Sequence, residues 1–264
     1  RPYAVAAVVK GIKLDYAIIR SLMQLQEKLH TTHGRNRRKA SIGVYDLNTI
    51  KFPLRYTTKP KSFKFKPLET KIKMSLTQIL TKHPKGKEYA HLLESFEECP
   101  VWIDAKDQVL SMPPIINSEE TKVKQKTTDL FIDVTGIDLL AVEQALNIIV
   151  TSLADRGGKI YSVKVNNKAY PNLSPNTMKL NKTYVNKRLG LTLNDNDIKT
   201  CLEKMGLGFN NDIVTIPSYR SDIIHQVDLV EDVAIGYGYD NFDFVIPNIA
   251  TIASEDEFEK FKNK

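Results

Sequence analysis

The sequence predicts an α+β fold built as two units. Apolar runs of strand length and amphipathic stripes of helix length are both present, but they do not alternate in a regular β-α-β order. The stretch 166–176 (NNKAYPNLSPN) gathers Asn, Pro and Ser between two periodic regions and marks a division. A length of 264 residues suits two domains with real cores, and 42% hydrophobic with 26% charged residues is ordinary globular composition.

Taken in order, Tyr3–Val9 is a continuous apolar run and reads as a buried strand. Asp15 is placed to cap a helix whose stripe is Ile18, Leu22, Leu25 and Leu29. It gives way at His33-Gly34 to a basic loop holding Arg35, Arg37, Arg38 and Lys39, followed by a strand over Ser41–Tyr45. Leu54–Tyr56 reads as a short strand. In KPKSFKFKP (59–67) lysines alternate with Phe63 and Phe65, which suits either a strand with one wet face or a basic surface whose aromatics stack on bases. Leu76–Leu80 and Glu88–Phe96 read as short helices, and Val101–Ile103, Val109–Ser111 and Leu130–Val134 as strands. Asp138 caps a helix over Leu139–Ala154 with Leu139, Val142, Leu146, Ile149 and Leu153 on one face. Gly157-Gly158 stops it and Ile160–Val165 is the next strand.

Beyond the division, Tyr184–Leu189 is a short helix ended by Gly190. Asn194 or Asp195 caps a second helix carrying Ile198, Leu202 and Met205, and Asp212–Ile216 is a strand closed by Pro217. A long helix starting near Ser221 would place Ile223, Val227, Val230, Ala234 and Tyr237 on one stripe. Helix, helix, strand and helix in so few residues resemble a winged-helix-like module.

Cys99 and Cys201 are isolated and carry no metal or redox spacing, which points to a reducing, cytoplasmic setting. No apolar run is long enough to span a bilayer, so no membrane partner is expected. The five histidines form no metal spacing, and His30 and His33 read as surface polar residues. The chain opens on Arg1-Pro2-Tyr3 and ends in a charged run, as a piece of a longer protein would. The net charge of +7 suits a polyanion, with basic residues clustered at 35–39 and 59–73.

Two constellations carry chemistry. Asp228, Glu231 and Asp232 stand at i, i+3 and i+4, with Asp222 near the helix entry; such a group suits either a hard cation such as Mg2+ or a plain solvated face. In VLSMPPIINSEE, Pro113-Pro114 makes a rigid corner flanked by Ser111 and Asn117. On the strand DLFIDVTG, alternation puts Asp133 and Thr135 on one face. The resulting pocket offers hydroxyls, an amide and a carboxylate with no evident nucleophile–base pair. Either it recognises a polar ligand, or Asp133 and Thr135 merely satisfy loop backbone.

The segments VLSMPPIINSE (109–119), TTDLFIDVTGID (127–138), VNKRLGLTL, LEKMGLGF and IPSYRSDIIHQVDLVEDVAIGYGYDN (216–241) resemble the phenylalanyl-tRNA synthetase beta subunits of archaea and the eukaryotic cytosol. The resemblance implies a B3/B4 editing domain over 1–165, a linker over 166–176, a winged-helix-like B5 domain over 177–247, and over 248–264 the start of a catalytic-like domain or a disordered tail. It implies an aminoacyl-tRNA synthetase that attaches phenylalanine to its tRNA with ATP, as a heterotetramer of two alpha and two beta subunits, with ATP used in the alpha subunit. Editing would hydrolyse mischarged tyrosyl-tRNA. By the same resemblance the editing residues are Ser111, Asp133 and Thr135, with Pro113, Pro114 and Asn117 as the wall. Asp222, Asp228, Glu231 and Asp232 would form a Mg2+ site shared with the alpha subunit, lying exposed in this chain by itself. The basic loop (Arg35, Arg37, Arg38, Lys39) is the candidate tRNA contact. Two alternatives differ in kind. One is a non-catalytic tRNA-binding or assembly module with an inactive pocket; the other is a DNA-binding winged helix, disfavoured because its long helix carries four acids that phosphates would repel.

Overall fold

In the computed structural model, residues 1–243 and 255–263 are described. The first unit runs β1 (Tyr3–Lys10), α1 (Tyr16–Thr31), β2 (Ala40–Asp46), β3 (Arg55–Pro60), β4 (Lys64–Phe65), β5 (Met74–Ser75), α2 (Leu76–Lys82), α3 (Pro84–Tyr89), β6 (Glu98–Ile103), β7 (Val109–Met112), β8 (Ile116–Asn117), β9 (Leu130–Gly136), α4 (Leu139–Ala154), β10 (Lys159–Val165) and β11 (Lys168–Tyr170). Its main sheet is antiparallel in the order β11-β10-β1-β9-β2.

The central place of β1 explains its unbroken apolar run. Val5, Ala7 and Val9 turn towards the core shared with α1 and α4, while Ala6 and Val8 turn to the opposite face with Tyr45, Trp102, Leu110 and Phe131. A strand buried on both faces has no polar positions to alternate with. On the helix side, Asp15 accepts the Ile18 N–H at 2.7 Å and Asp138 the Ala141 N–H at 2.9 Å, so each long helix starts at an acid that satisfies an orphan donor. Val142, Leu146, Ile149 and Leu153 are fully enclosed against the sheet, each stabilising the fold by about 1.5–3 kcal/mol over an exposed position. The other face is covered by a second antiparallel sheet, β3-β6-β7-β8, which holds its own core of Phe65, Leu76, Ile79, Val101 and Met112.

The second unit comprises β12 (Asn176–Lys179), α5 (Lys182–Leu189), α6 (Asp195–Lys204), β13 (Gly208–Asn210), β14 (Ile213–Ile216) and α7 (Gln226–Tyr237). Three helices pack with the sheet β12-β14-β13 around Val185, Ile198, Leu202, Val214, Leu229 and Val233. Asn194 and Asp197 cap α6 reciprocally, and Gly190 ends α5 at φ +68°, a left-handed value glycine adopts without strain. This helix-and-wing arrangement agrees with the α+β expectation. A final helix, α8, spans Glu257–Lys262. Much of the expected continuation over 248–264, and the last residues of the expected 177–247 unit, lie outside the described residues.

Several elements differ from their sequence reading. The helix expected over Glu88–Phe96 is α3 at Pro84–Tyr89, because Pro84 presets the first turn; a 3-10 turn over Ala90–Leu92 follows. The 59–67 stretch is no single strand, since β3 ends at Pro60, and Phe65 is buried in the second sheet's core, unable to stack on a base. Within 166–176, Asn166 and Asn167 take φ of +45° and +69° and close a two-residue hairpin, so Lys168–Tyr170 extends the main sheet. The last long helix starts at Gln226, not near Ser221. The Asp228 carboxylate accepts the N–H groups of Ile224 and His225, so the chain before Gln226 folds back as a cap. The start shifts the buried face to Leu229, Val230, Val233 and Ala234 and leaves Val227 exposed.

Candidate functional site

The site forms where the two sheets of the first unit face each other. Pairing of β2 with β9 sets Gly43 opposite Asp133 and Ser41 opposite Thr135. Alternation sends Ser41, Gly43, Tyr45, Asp133 and Thr135 to the face away from the helices. Ser111 reaches the same region from β7, where it pairs with Trp102 on one side and Asn117 on the other.

A cavity of about 440 Å³ opens here. Leu22, Met23, Ile42, Val44, Ile115 and Ile116 make its apolar walls, and Ser111, Pro113, Pro114, Asn117 and Asp133 line it as well. Five of the six residues expected at the pocket are therefore brought together. Thr135 is not among the lining residues: it is fully buried, with its hydroxyl 3.1 Å from that of Ser41, which does line the cavity.

Asp133 is 1% exposed and sits at the centre of a polar node. The Tyr45 hydroxyl lies 2.5 Å from its Oδ1, and the Trp102 indole N–H donates to Oδ2 at 3.1 Å. Ser111 Oγ is 2.8 Å from the Tyr45 oxygen. Burial pushes the Asp133 carboxyl up to about 7, against the opposing pull of Tyr45, Trp102 and Arg1. Burial, and then the neighbouring carboxylate, raises the Tyr45 phenol well above its ordinary value. Among the described residues no imidazole or amine bonds Ser111, so the serine is not built as an activated nucleophile. Gly43 is required by the node: a Cβ there would stand 2.0 Å from the Tyr45 oxygen and 2.3 Å from Asp133 Oδ1.

The opposite wall is ionic. His30, read from the sequence as a surface residue, is 3% exposed and lines the cavity. Its Nε2 accepts the Ile42 N–H at 2.8 Å, so Nδ1 carries the proton and donates to Glu27 at 3.2 Å. Burial holds His30 below its ordinary value, and its hydrogen bond, with help from Arg37, holds Glu27 far below the carboxylate range.

The basic loop divides. Arg37 is buried: it donates to the carbonyls of Pro114 and Ile115 and to Glu27, and stacks 4.3 Å over the Tyr89 ring. It braces the proline corner and is not available to a tRNA backbone. Lys39 pairs with Asp138 at 3.1 Å, which leaves Arg35 and Arg38 exposed.

The acidic cluster does not converge. Arg220 forks between Asp222 and Asp232, at 2.7 and 2.8 Å, while Asp228 is spent on backbone N–H groups and Glu231 is exposed. Asp232, expected to be exposed, is 4% exposed: it sits midway along α7 and receives the Arg220 guanidinium. Among the described residues no group of three or more His, Cys, Asp or Glu side chains is arranged to hold a metal ion. The four acids in this arrangement do not fit Mg2+; Arg220 supplies the cation.

Tyr45, Trp102, Gly43 and Ser41 were missed in the sequence. Period-two alternation along Ser41–Tyr45 was a legible signal, but only the β2–β9 register shows that this face meets Asp133.

The B3/4 domain matches residues 2–152, more than half the chain, over the unit that holds this cavity. The chain belongs to the B3/4 domain family. A tRNA synthetase B5 domain matches residues 178–239, the helix-and-wing unit. The phenylalanine–tRNA ligase beta subunit of Archaeoglobus fulgidus is 49% identical over 95% of this chain and 47% of its own length. That of Methanosarcina barkeri is 49% identical over 95% and 48%. The chain thus spans about half the length of the curated relatives it matches. A crystal structure of an N-terminal fragment of the phenylalanyl-tRNA synthetase beta subunit from Pyrococcus horikoshii superposes with a TM-score of 0.86 at 46% identity, covering 90% of this chain and 72% of that one. Among the described residues no helix is long and apolar enough to cross a membrane.

Proposed function

We propose that this chain is part of a cytoplasmic phenylalanine–tRNA ligase beta subunit, and that the B3/4 cavity hydrolyses tyrosyl-tRNA formed in error. The observation that carries the reading is the cavity: apolar walls with room for an aromatic side chain, and the Ser111–Tyr45–Asp133 node in its lining. A synthetic site shaped for phenylalanine rejects an added hydroxyl only weakly, so tyrosine needs a second sieve. A pocket with buried polar groups supplies one, since a phenylalanyl group would leave them unpaired. With no activated side-chain nucleophile at the cavity among the described residues, the attacking group is water. Ser111 and Asp133 mark the end that reads the tyrosyl side chain, Pro113, Pro114 and Asn117 shape the wall, and Thr135 supports the sheet behind through Ser41.

In this reading ATP is used in the alpha subunit, the holoenzyme is a heterotetramer, and tRNA meets the exposed Arg35 and Arg38. The chain divides near 166–176, and the B5 unit docks the alpha subunit. Val227 and Ile235 on α7, either side of Glu231, and Ile224 just ahead of the helix are exposed, a surface fit for a protein partner. The deciding experiment is tyrosyl-tRNA deacylation by the whole two-subunit ligase and its Ser111→Ala and Asp133→Asn variants. Loss in both variants supports the editing site. Equal rates in all three would refute it, and a wild-type ligase that leaves tyrosyl-tRNA intact would point to a binding module with an inactive pocket.

A further inference from the structure

Tyr45 ties the polar end of the cavity together. Its ring is enclosed beside Phe131, with centroids 5.9 Å apart, and its hydroxyl touches both Asp133 and Ser111. A phenol has one proton. The Tyr45 O–H is placed to donate to either Asp133 Oδ1 or Ser111 Oγ; facing an ionised carboxylate it donates to Asp133, and the Ser111 hydroxyl then supplies the proton between itself and the Tyr45 oxygen. The free lone pairs of Ser111 are then the ones left for the cavity.

We infer that Tyr45 is a positioning residue that fixes the polarity with which Ser111 meets a bound side chain: with Asp133 ionised, Ser111 is presented as an acceptor for a ligand hydroxyl that donates, as a tyrosyl phenol does. This rests on the editing reading and names the group through which that site discriminates. A phenylalanyl group brings no proton and leaves the acceptor unpaired. Protonation of Asp133 reverses the chain. The carboxylic acid donates to Tyr45, Tyr45 donates to Ser111, and the serine proton is turned outward. A phenol must then accept, which it does less well than it donates.

Because burial brings the Asp133 carboxyl up to about 7, the reversal falls within a workable pH range. The other groups that bear on it do not titrate there. Arg1 lies ahead of β1 at about 10, and Tyr56 on β3 at about 12, both shifted by burial first. Trp102 on β6 is a neutral donor. Across the cavity His30 is held neutral by burial and Glu27 stays ionised, with the Arg37 guanidinium bonded between Glu27 and the proline-corner carbonyls.

The test compares kcat/KM for deacylation of tyrosyl-tRNA and phenylalanyl-tRNA by the whole ligase between pH 6 and 8. Their ratio cancels the general rise of ester hydrolysis with hydroxide. In the wild type the ratio falls as pH drops through 7. In Tyr45→Phe it is lower by roughly tenfold at pH 8, the scale of one lost hydrogen bond, and flat with pH. A Tyr45→Phe ligase that keeps both the wild-type ratio and its pH dependence overturns the inference. A second measurement does not depend on editing: difference infrared spectra between pH 8 and 6 follow the buried carboxylic acid absent from Asp133→Asn. Tyr45→Phe moves its midpoint upward, because the phenol hydrogen bond favours the ionised form. An unmoved midpoint also overturns the inference, whatever the ligase deacylates. A moved midpoint in a ligase without deacylation brings down the editing reading alone and leaves the Tyr45 link standing.

Discussion

The Arg37 guanidinium donates to the carbonyls of Pro114 and Ile115 at 3.1 and 3.0 Å, fastening a loop between α1 and β2 to the proline corner between β7 and β8. A corner made of two prolines has given up two N–H donors, so its outward carbonyls must be satisfied by side chains. Arg37 does this from a buried position, with Glu27 as counter-charge at 2.9 Å.

Replacing Arg37 with Met therefore strips donors from two carbonyls and leaves Glu27 with one fewer partner. The expected loss is about 2–4 kcal/mol in denaturant unfolding, together with a looser pocket wall. Arg37→Lys recovers little, because an ammonium cannot fork to two carbonyls and a carboxylate while stacking on Tyr89.

Arg35 and Arg38 should behave in the opposite way. Both are exposed, so Arg35→Ala and Arg38→Ala leave the unfolding midpoint within about 0.5 kcal/mol of wild type. If the loop meets tRNA, each lowers the slope of log binding constant against log salt by roughly 0.7–0.9. An unchanged slope in the double variant removes the loop from the RNA interface.

This contrast shows what one sequence can disclose. The two long helices, their caps at Asp15 and Asp138, and the central strands were legible because local periodicity and capping chemistry act over a few residues. Ser111, Asp133 and the proline corner were legible as motifs. The role of Arg37 was not: an RNRRK run reads as a charged surface, and only the long-range contact with Pro114 reveals a buried brace. Tyr45 escaped for a similar reason, since its partners are 66 and 88 residues away in sequence. The late start of α7 followed from a cap built on His225 and Asp228, a use of the aspartate that competes with metal binding.

Gly43→Ala tests the crowding at the node. The new methyl would overlap the Tyr45 oxygen and the Asp133 carboxylate, so one of them must move. About 1–3 kcal/mol of stability should be lost, and if the cavity edits as proposed, tyrosyl-tRNA deacylation should fall further than stability alone accounts for.

Acid and base should act on Asp133 and Glu27 in opposite senses. The Asp133 pKa is raised in the folded state to about 7, so its contribution is fully present below the unfolded value near 4 and is lost as pH rises through 7. Glu27 is held below its ordinary value, so its contribution is present above the unfolded value near 4 and is lost as pH falls towards the lower folded one. Asp133→Asn should flatten the decline of stability between about pH 4 and 7, while Glu27→Gln should flatten the loss on the acid side of about pH 4. Chemical unfolding across that range reads both slopes.

In the B5 unit, Asp232 is buried midway along α7 and its charge is met by Arg220, which also holds Asp222. Burial first, with the nearby Asp222 and Glu231 carboxylates adding to it, pushes the Asp232 carboxyl up, and Arg220 opposes that shift. Arg220→Met leaves a buried carboxylate without its cation, for which about 3–5 kcal/mol of destabilisation is expected. Adding Asp232→Leu to that variant should recover part of the loss, since an apolar pair of similar volume needs no counter-charge. If Mg2+ were the cation these acids require, chelation would lower the melting temperature of the wild type as much as Arg220→Met does. Arg220 as the cation predicts a wild type indifferent to chelation.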